Sequence, residues 1–410
     1  MERPPDAAAP GRRHGVTVLV LAVLVLFIDG YDLFVLGTAG PALVAYESWD
    51  VSTATIGTLG SITALGMPVG TFLAGRVSDA LGRRVPIAAA LGWMSACMLL
   101  SALAPSLFLF AASRFLTGLG LGALIPLVIA LVVDWAPPHR RSLHAGIALS
   151  GIGLGGVAVA CAGRVALPET HFQWLFAAGV LPLILVPLYA KLLPKTPPPH
   201  ATAPDLATPP EALEVTDARA ALFAPARRRA TLAFCLASFL GLVLIYGASS
   251  WLPTLLIRAG YDLGSALEFT IAFNAGAIGG TLLLSLAADR GHQRSGIALL
   301  FLGAAVAMLA LTTHQPRWLL LSLCALAGLG TLGTQNLINA YVARYYPPRL
   351  RGTALGFTLG TGRFGSVAGP SYLTLVTALF TTPDAAFYAF ALPALLGATT
   401  MALIPPRART

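Results

Sequence analysis

The chain has 410 residues, of which 56% are apolar and only 10% are Asp, Glu, Lys or Arg, against about 25% charged in a soluble domain. These proportions exclude a soluble α/β enzyme, a disordered tail and a disulfide scaffold. The net charge of +9 would suggest nucleic acid in a soluble protein, but here the basic residues report topology, and no nucleic-acid partner is implied.

Apolar runs between polar punctuation predict twelve membrane-crossing helices. They lie at about 16–40, 54–75, 85–104, 107–133, 143–163, 172–193, 231–251, 265–288, 296–312, 317–343, 352–378 and 384–404, each close to the roughly 20 residues a crossing needs. The first run carries Asp29 and Asp32 and ends without a clear small-residue cleavage site, so it reads as a retained crossing. One long polar stretch, 194–230, contains Pro197-Pro198-Pro199, Pro209-Pro210 and Arg227-Arg228-Arg229. It reads as a cytoplasmic linker between a bundle over 1–193 and a second over 231–410. Cys97, Cys161, Cys235 and Cys324 are scattered through apolar runs without CxxC or metal spacing, which makes them packing residues and implies no metal.

With the amino terminus inside, 21 of the 26 Lys and Arg residues fall in cytoplasmic segments, three (Arg164, Arg258, Arg317) fall outside, and Arg114 and Arg363 lie within crossings. The positive-inside rule then puts both termini in the cytoplasm of a multi-pass protein of a bacterial inner (plasma) membrane. The halves also share landmarks 210 residues apart: Asp79 and Asp289, Gly118 and Gly328, Pro137-Pro138 and Pro347-Pro348, Arg141 and Arg351, Gly146 and Gly356. One register through so many landmarks indicates parallel six-crossing repeats, and a transporter whose site lies between them.

Gly75, Asp79, Gly82, Arg83 and Arg84 form a GxxxDxxGRR segment between the second and third crossings. It resembles the signature of the major facilitator superfamily, with Ala80 in place of the usual basic residue. Asp289, Arg290 and Arg294 repeat it, with His292 in the glycine slot. The resemblance implies an all-α membrane fold of twelve transmembrane helices in two six-helix pseudo-repeats. It also implies a cytoplasmic gate built on the signature residues, with Asp134, Arg141 and Arg351 as further gate charges at nearby crossing ends.

A finer resemblance, to aromatic acid:proton symporters, rests on four segments. They are Asp29-Gly30-Tyr31-Asp32, the run from Arg114 through Gly118, Gly120 and Gly122 to Pro126, Asn274 to Gly280, and Gly362-Arg363 to Gly369-Pro370. Leu127 after Pro126, and Asp134 in the acidic place, depart from that family's fourth crossing. The resemblance implies a secondary active transporter that imports an organic acid, an aromatic acid anion, with protons by alternating access. Its partners are that anion, protons and the lipid bilayer; a single chain is expected to function, and no cofactor is implied.

Intramembrane polar residues supply the site candidates. A charged carboxylate near the bilayer centre costs about 2.5–3.5 kcal/mol on insertion scales. Asp29 and Asp32 are three residues apart on one helix face, and held close in a low dielectric they cannot both ionise cheaply. They and the counter-charge Arg114 are the candidates for proton coupling. Arg363 offers a planar fork for a substrate carboxylate or an ion pair with Asp29 or Asp32. Tyr31, Asn274, Asn336 and Asn339 are further substrate-binding candidates, whereas Gln335 faces elsewhere and reads as helix–helix glue.

The alternatives are a proton-driven exporter of small amphipathic molecules and a non-transporting sensor on the same fold. Exporters carry a GPxxGG-like motif in the fifth crossing, and Gly151 to Gly156 has its glycines without the proline. A sensor would lose the coupling carboxylates or gain a signalling domain. No HExxH, GxSxG, clustered Cys/His or GxxxxGK[ST] occurs, so the chain does not read as an enzyme or a nucleotide-driven pump.

Overall fold

The computed structural model describes residues 10–137, 140–167, 171–193, 220–287, 293–313, 315–380, 382 and 384–404. Among them the regular structure is all helical. The first half runs α1 (Pro10–Val44), α2 (Thr53–Leu81), α3 (Arg84–Ala102), α4 (Leu107–Trp135), α5 (Arg141–Ala166) and two short pieces, α6 (Gln173–Ala178) and α7 (Leu185–Leu192). The second runs α8 (Pro225–Arg258), α9 (Leu263–Ala287), α10 (Gln293–Ala310), α11 (Arg317–Tyr345), α12 (Pro348–Leu379) and α13 (Ala385–Ala402). The linker expected over 194–230 lies mostly outside the described residues, and so do Asp289 and Arg290.

Ten of these helices are long and apolar enough to cross a membrane. The remaining two crossings differ from the continuous apolar helices the sequence suggests. The sixth is broken between α6 and α7, where Gly179 and Val180 leave the helix and a 3-10 turn over Leu181–Ile184 contains Pro182. Proline removes a helical N–H, and glycine loses more backbone freedom in a helix than other residues do. The eleventh crossing, α12, is a continuous 32-residue helix, but Arg349, Arg351 and Arg363 with interspersed Gly and Thr dilute its apolar character. Several helices outrun their apolar windows into polar flanks, α2 as far as Leu81.

At the face opposite the chain termini, short side chains cap the returning helices. Ser52 Oγ accepts from Thr55 N–H at 3.2 Å, Ser106 Oγ from Leu109 N–H at 3.4 Å, and Asp262 Oδ1 from Ser265 N–H at 3.0 Å. The Ser265 hydroxyl and N–H together hold the exposed Asp262 carboxyl below the usual carboxylate range. Large apolar side chains such as Phe108 (79% exposed) and Ile184 (74%) cover the outside. That surface suits lipid, in which the helices satisfy their own backbone groups.

Glycine sets the packing within each half, and it repeats. A Cβ on Gly66 would collide with the Phe115 carbonyl, and one on Gly276 with the Ala325 carbonyl. Gly70 meets Leu119 as Gly280 meets Leu329, and Gly120 meets Ala90 and Met94 as Gly330 meets Leu300 and Ala304. Each partner pair is again 210 residues apart, so the second half reproduces the first helix against helix. In the first crossings the offset is 212: Gly155 lies on Phe27 as Gly365 lies on Phe239. The α1–α2 connection, with its 3-10 turn Glu47–Trp49, absorbs the two extra residues.

The halves meet along α2–α12, α5–α9 and α1–α8. Towards the opposite face α2 and α12 are closed. Ser61 Oγ donates to Val367 O at 2.8 Å and lies 2.6 Å from Ser371 Oγ, while Gly57 and Gly60 abut Thr374 and Pro370. Beyond them Glu268 of α9 pairs with both Arg164 of α5 and Arg317 of α11. Towards the terminal face the same helices part: Gly356 and Gly360 share the α12 face of Arg363 and Val367, yet a Cβ on either meets nothing within 4 Å.

This contrast makes a stability test. Gly66→Val and Gly276→Val are each expected to destabilise the protein by about 1–3 kcal/mol through overpacking. Gly360→Val is expected to change it by less than about 0.5 kcal/mol. Thermal unfolding in detergent checks the order.

Candidate functional site

The two aspartates of α1 part company in the structure. Asp32 Oδ1 accepts from Arg114 Nη1 at 2.9 Å, and both residues are buried. The rest of the Arg114 fork is also taken up: Nε and Nη2 donate to Ser101 Oγ at 3.2 and 2.9 Å, and Nη2 donates to Thr117 Oγ1 at 2.8 Å. The guanidinium carbon lies 5.0 Å from the Phe176 ring centre, a cation–π distance. Phe176 belongs to an edge-to-face cluster with Phe110, Phe172, Trp49 and Tyr46 that covers this end of the first half. A charge that arginine cannot lose is thus neutralised, hydrogen-bonded and shielded.

Asp29 has no such partner among the described residues. It is 1% exposed, and its Oδ1 has no hydrogen-bond partner among them. It lies within electrostatic reach of Asp32 and, across the interface between the halves, of Arg363. Arg363, half-buried on α12, donates from Nη1 to Tyr246 Oη of α8 at 3.3 Å and forms no ion pair among the described residues. Its Nη1 also lies 3.7 Å from Met67 Sδ of α2. The interface therefore presents a phenol, a guanidinium and a carboxyl group, the last two without an ion-pair partner among the described residues. The space beside Asp32, Arg114, Thr63 and Met67 on one side and Tyr246, Ser249 and Ser250 on the other is only about 10 Å³. A ligand there needs the halves to move apart.

The other expected residues lie elsewhere. Tyr31 donates its hydroxyl to Leu175 O of α6 at 2.9 Å, inside the first half. Asn274 is fully buried against Gly156 of α5, with Nδ2 donating to Thr270 O at 3.0 Å and Oδ1 unpaired. Asn339 Oδ1 accepts from Gln335 Nε2 at 3.4 Å, while Gln335 Nε2 also donates to Ser238 Oγ of α8 at 3.0 Å. Asn336 is half-buried on the same helix. Among the described residues none of these four is hydrogen-bonded to Arg363. Tyr246 of α8 is the hydroxyl partner of Arg363.

On the terminal face Arg83 forms a 2.9 Å ion pair with Asp134, each about one-third exposed, with the N–H not aligned as a hydrogen bond. It ties the α2–α3 turn to the end of α4. Gly82 makes that turn at φ +70°, which favours glycine. Arg84 opens α3, while Arg141 and Arg351 stand exposed at the starts of α5 and α12. Gly75 and the backbone of Asp79 lie in the last turns of α2. The sequence reading had no role for Glu268. The signal was available: it is an acid at the edge of an apolar run, on a side whose three basic residues include Arg164 and Arg317.

The profile of the Major Facilitator Superfamily matches residues 22–370 and, again, 268–410. The chain is 37% identical to a gentisate transporter of Corynebacterium glutamicum, over 96% of this chain and 88% of that protein. It is 31% identical to a benzoate transport protein of Acinetobacter baylyi, over 95% and 89%, and 31% identical to a gallate transporter of Pseudomonas putida, over 86% and 83%. Among solved structures it resembles a D-xylose-proton symporter, with a TM-score of 0.75 at 18% identity over 96% of this chain and 98% of that one. Profile, relatives and twelve-crossing fold agree: this multi-pass membrane protein, a transporter rather than an enzyme, belongs to the major facilitator superfamily.

Proposed function

We propose that the chain imports an aromatic acid anion together with protons, by alternating access to a site between its halves. The observation that carries this is Arg363: a half-buried guanidinium at the interface, without an ion-pair partner among the described residues and within electrostatic reach of Asp29. Relatives named for gentisate, benzoate and gallate support the substrate class.

The mechanism follows from charge. Arg363 takes the substrate carboxylate bidentately, and Tyr246 donates to it or to a ring hydroxyl. An ionised Asp29 competes with that anion for the same cation. Binding the anion and protonating Asp29 therefore favour each other, and the two are carried together. Asp32 and Arg114 form the fixed charge pair behind Asp29, and Asn274, Asn336, Asn339 and Tyr31 support the surrounding helices. The halves, 1–193 and 231–410, rock about their contacts. The Glu268 pairs and the Ser61–Ser371 contact close the outer side, and the arginine-rich side, which carries both termini, faces the cytoplasm across the inner membrane. Gly75, Asp79, Gly82, Arg83, Arg84, Asp134, Arg141, Asp289, Arg290 and Arg351 form the cytoplasmic gate, and one chain suffices.

Uptake into proteoliposomes under an inward proton gradient tests the reading, with labelled benzoate, hydroxybenzoates, phenylpropanoates and short aliphatic acids. Gradient-driven accumulation of an aromatic acid is expected. No uptake of any acid, with extrusion of apolar cations instead, would overturn it in favour of export. Asp29→Asn is expected to abolish accumulation while substrate exchange at equal concentrations persists. Asp32→Asn strands the buried Arg114 charge and is expected to cost about 3–5 kcal/mol of stability, read as lower unfolding temperature and yield. Arg363→Lys replaces a fork by a single ammonium and is expected to raise the substrate KM by about 10–100-fold.

The closure on the outer side makes a separate test. Glu268→Gln leaves Arg164 and Arg317 without their shared acid. It is expected to increase labelling of a Thr254→Cys reporter by an impermeant maleimide added from that side. Unchanged labelling would mean that the ion pairs do not hold the halves shut.

A further inference from the structure

The two ion pairs of Glu268 fare differently when the halves part. Glu268 lies on α9 and Arg317 on α11, both in the second half. Those helices are packed to backbone contact: a Cβ on Gly276 would strike the Ala325 carbonyl, and one on Gly328 the Phe273 carbonyl. Arg164 lies on α5, in the first half. Opening this side therefore separates Arg164 from Glu268 and leaves Arg317 beside it. The acid keeps one cation, and the other is set free.

The release happens at the mouth between the halves. Gly163, next to Arg164, is buried against Thr38 of α1, and a Cβ there would also lie 3.5 Å from Leu267, next to Glu268. Thr38 follows Asp29 by nine residues on α1, so this junction is roughly 13.5 Å further towards the face opposite the termini. One benzoate ring with its carboxylate does not span that length. A cation at the mouth acts before Arg363, not together with it.

Charge makes the freed arginine matter. The segments at this face carry six acidic residues, Glu47, Asp50, Glu169, Asp262, Glu268 and Asp384, against three basic ones, Arg164, Arg258 and Arg317. Such a face repels an anion. Arg317 stays neutralised by Glu268, and Arg258 is already exposed with the halves closed. Only Arg164 gains an unpaired charge on opening. On the reading that the cargo is an anion entering from this side, we propose that Arg164 is its capture site. It is paired with Glu268 while the outer side is closed and takes the cargo carboxylate through two parallel N–H donors when that side opens. The anion then moves inward to Arg363. As the halves close, Glu268 returns and displaces any carboxylate left on Arg164, so one acid both latches the gate and clears the entry site.

Initial rates of labelled benzoate and gentisate uptake into right-side-out membrane vesicles test this. Arg164→Gln and Glu268→Gln break the same ion pair, so a role in closure alone shifts the external KM in the same direction in both. Capture gives opposite shifts. Arg164→Gln is expected to raise the external KM about 3–5-fold, the worth of a solvent-exposed charge pair. Glu268→Gln leaves Arg164 free and removes its competitor, and is expected to lower it. The Arg164→Gln defect is also expected to shrink at about 1 M salt, to spare the KM for efflux from preloaded vesicles, and to be largely relieved in Arg164→Lys. If the wild type accumulates neither acid, the import reading fails and this proposal with it. If the wild type accumulates one of them and both variants shift the external KM together, or the Arg164→Gln defect is indifferent to salt, import stands and capture by Arg164 is overturned.

Discussion

Arg114 cannot give up its charge, and much of the first half is arranged around that constraint. A buried guanidinium needs a counter-charge and a use for each remaining N–H. Asp32 of α1, Ser101 of α3 and Thr117 of α4 meet that need, so one side chain fastens three helices. Aromatic rings from α4, α6 and the α1–α2 connection then cover it on the face opposite the termini. Because Asp32 is committed, Asp29 is left to face the second half. The functional difference proposed between two carboxylates three residues apart follows from which of them reaches the arginine.

Close glycine packing runs through this molecule and reaches the α1–α8 interface, where a Cβ on Gly37 would strike the Ser249 carbonyl. Within each half, glycines let helices approach until a Cβ would strike the neighbouring backbone, and the same positions recur in both halves. Such contacts leave little room for sliding. The α2–α12 contact between the halves changes along its length: serine hydroxyls and Gly57 close one end, while open space lies beside Gly356 and Gly360 at the other. The α5–α9 contact is closer, with Gly146 on Ser285 and Gly156 on Asn274. Rigid halves joined along an interface closed at one end are what rocking about a central site requires. Arg363, between Gly360 and Val367, lies where the α2–α12 contact changes character.

Much of this was legible in one dimension. Crossing number and the pseudo-repeat were readable because lipid demands long apolar runs and because both copies keep their glycines in register. Asp29, Asp32, Arg114 and Arg363 stood out because charge is expensive inside a membrane, whatever lies beside it. Partner choice was not legible. Asp29 and Asp32 share a helix face, and only the rotation and depth of α1 against α4 decide that Asp32 meets Arg114. The DGxD segment singles out Tyr31, but only the packing of α1 shows that its hydroxyl donates to Leu175 O. Asn339 is occupied by Gln335. Glu268 gained meaning only when α5, α9 and α11 brought two arginines to it.

The sequence alone determined the solvent, the number of crossings, the twofold internal repeat and the few positions where charge enters the membrane. Each of these depends on transfer free energies and chain periodicities that act locally. Only the tertiary structure decided which carboxylate is paired and which is not, where the halves touch and where they part, and that the sixth crossing breaks beside an apolar cavity. Those outcomes depend on distances of a few ångströms between helices far apart in the chain, and on the relative depth and rotation of rods whose local composition is nearly uniform.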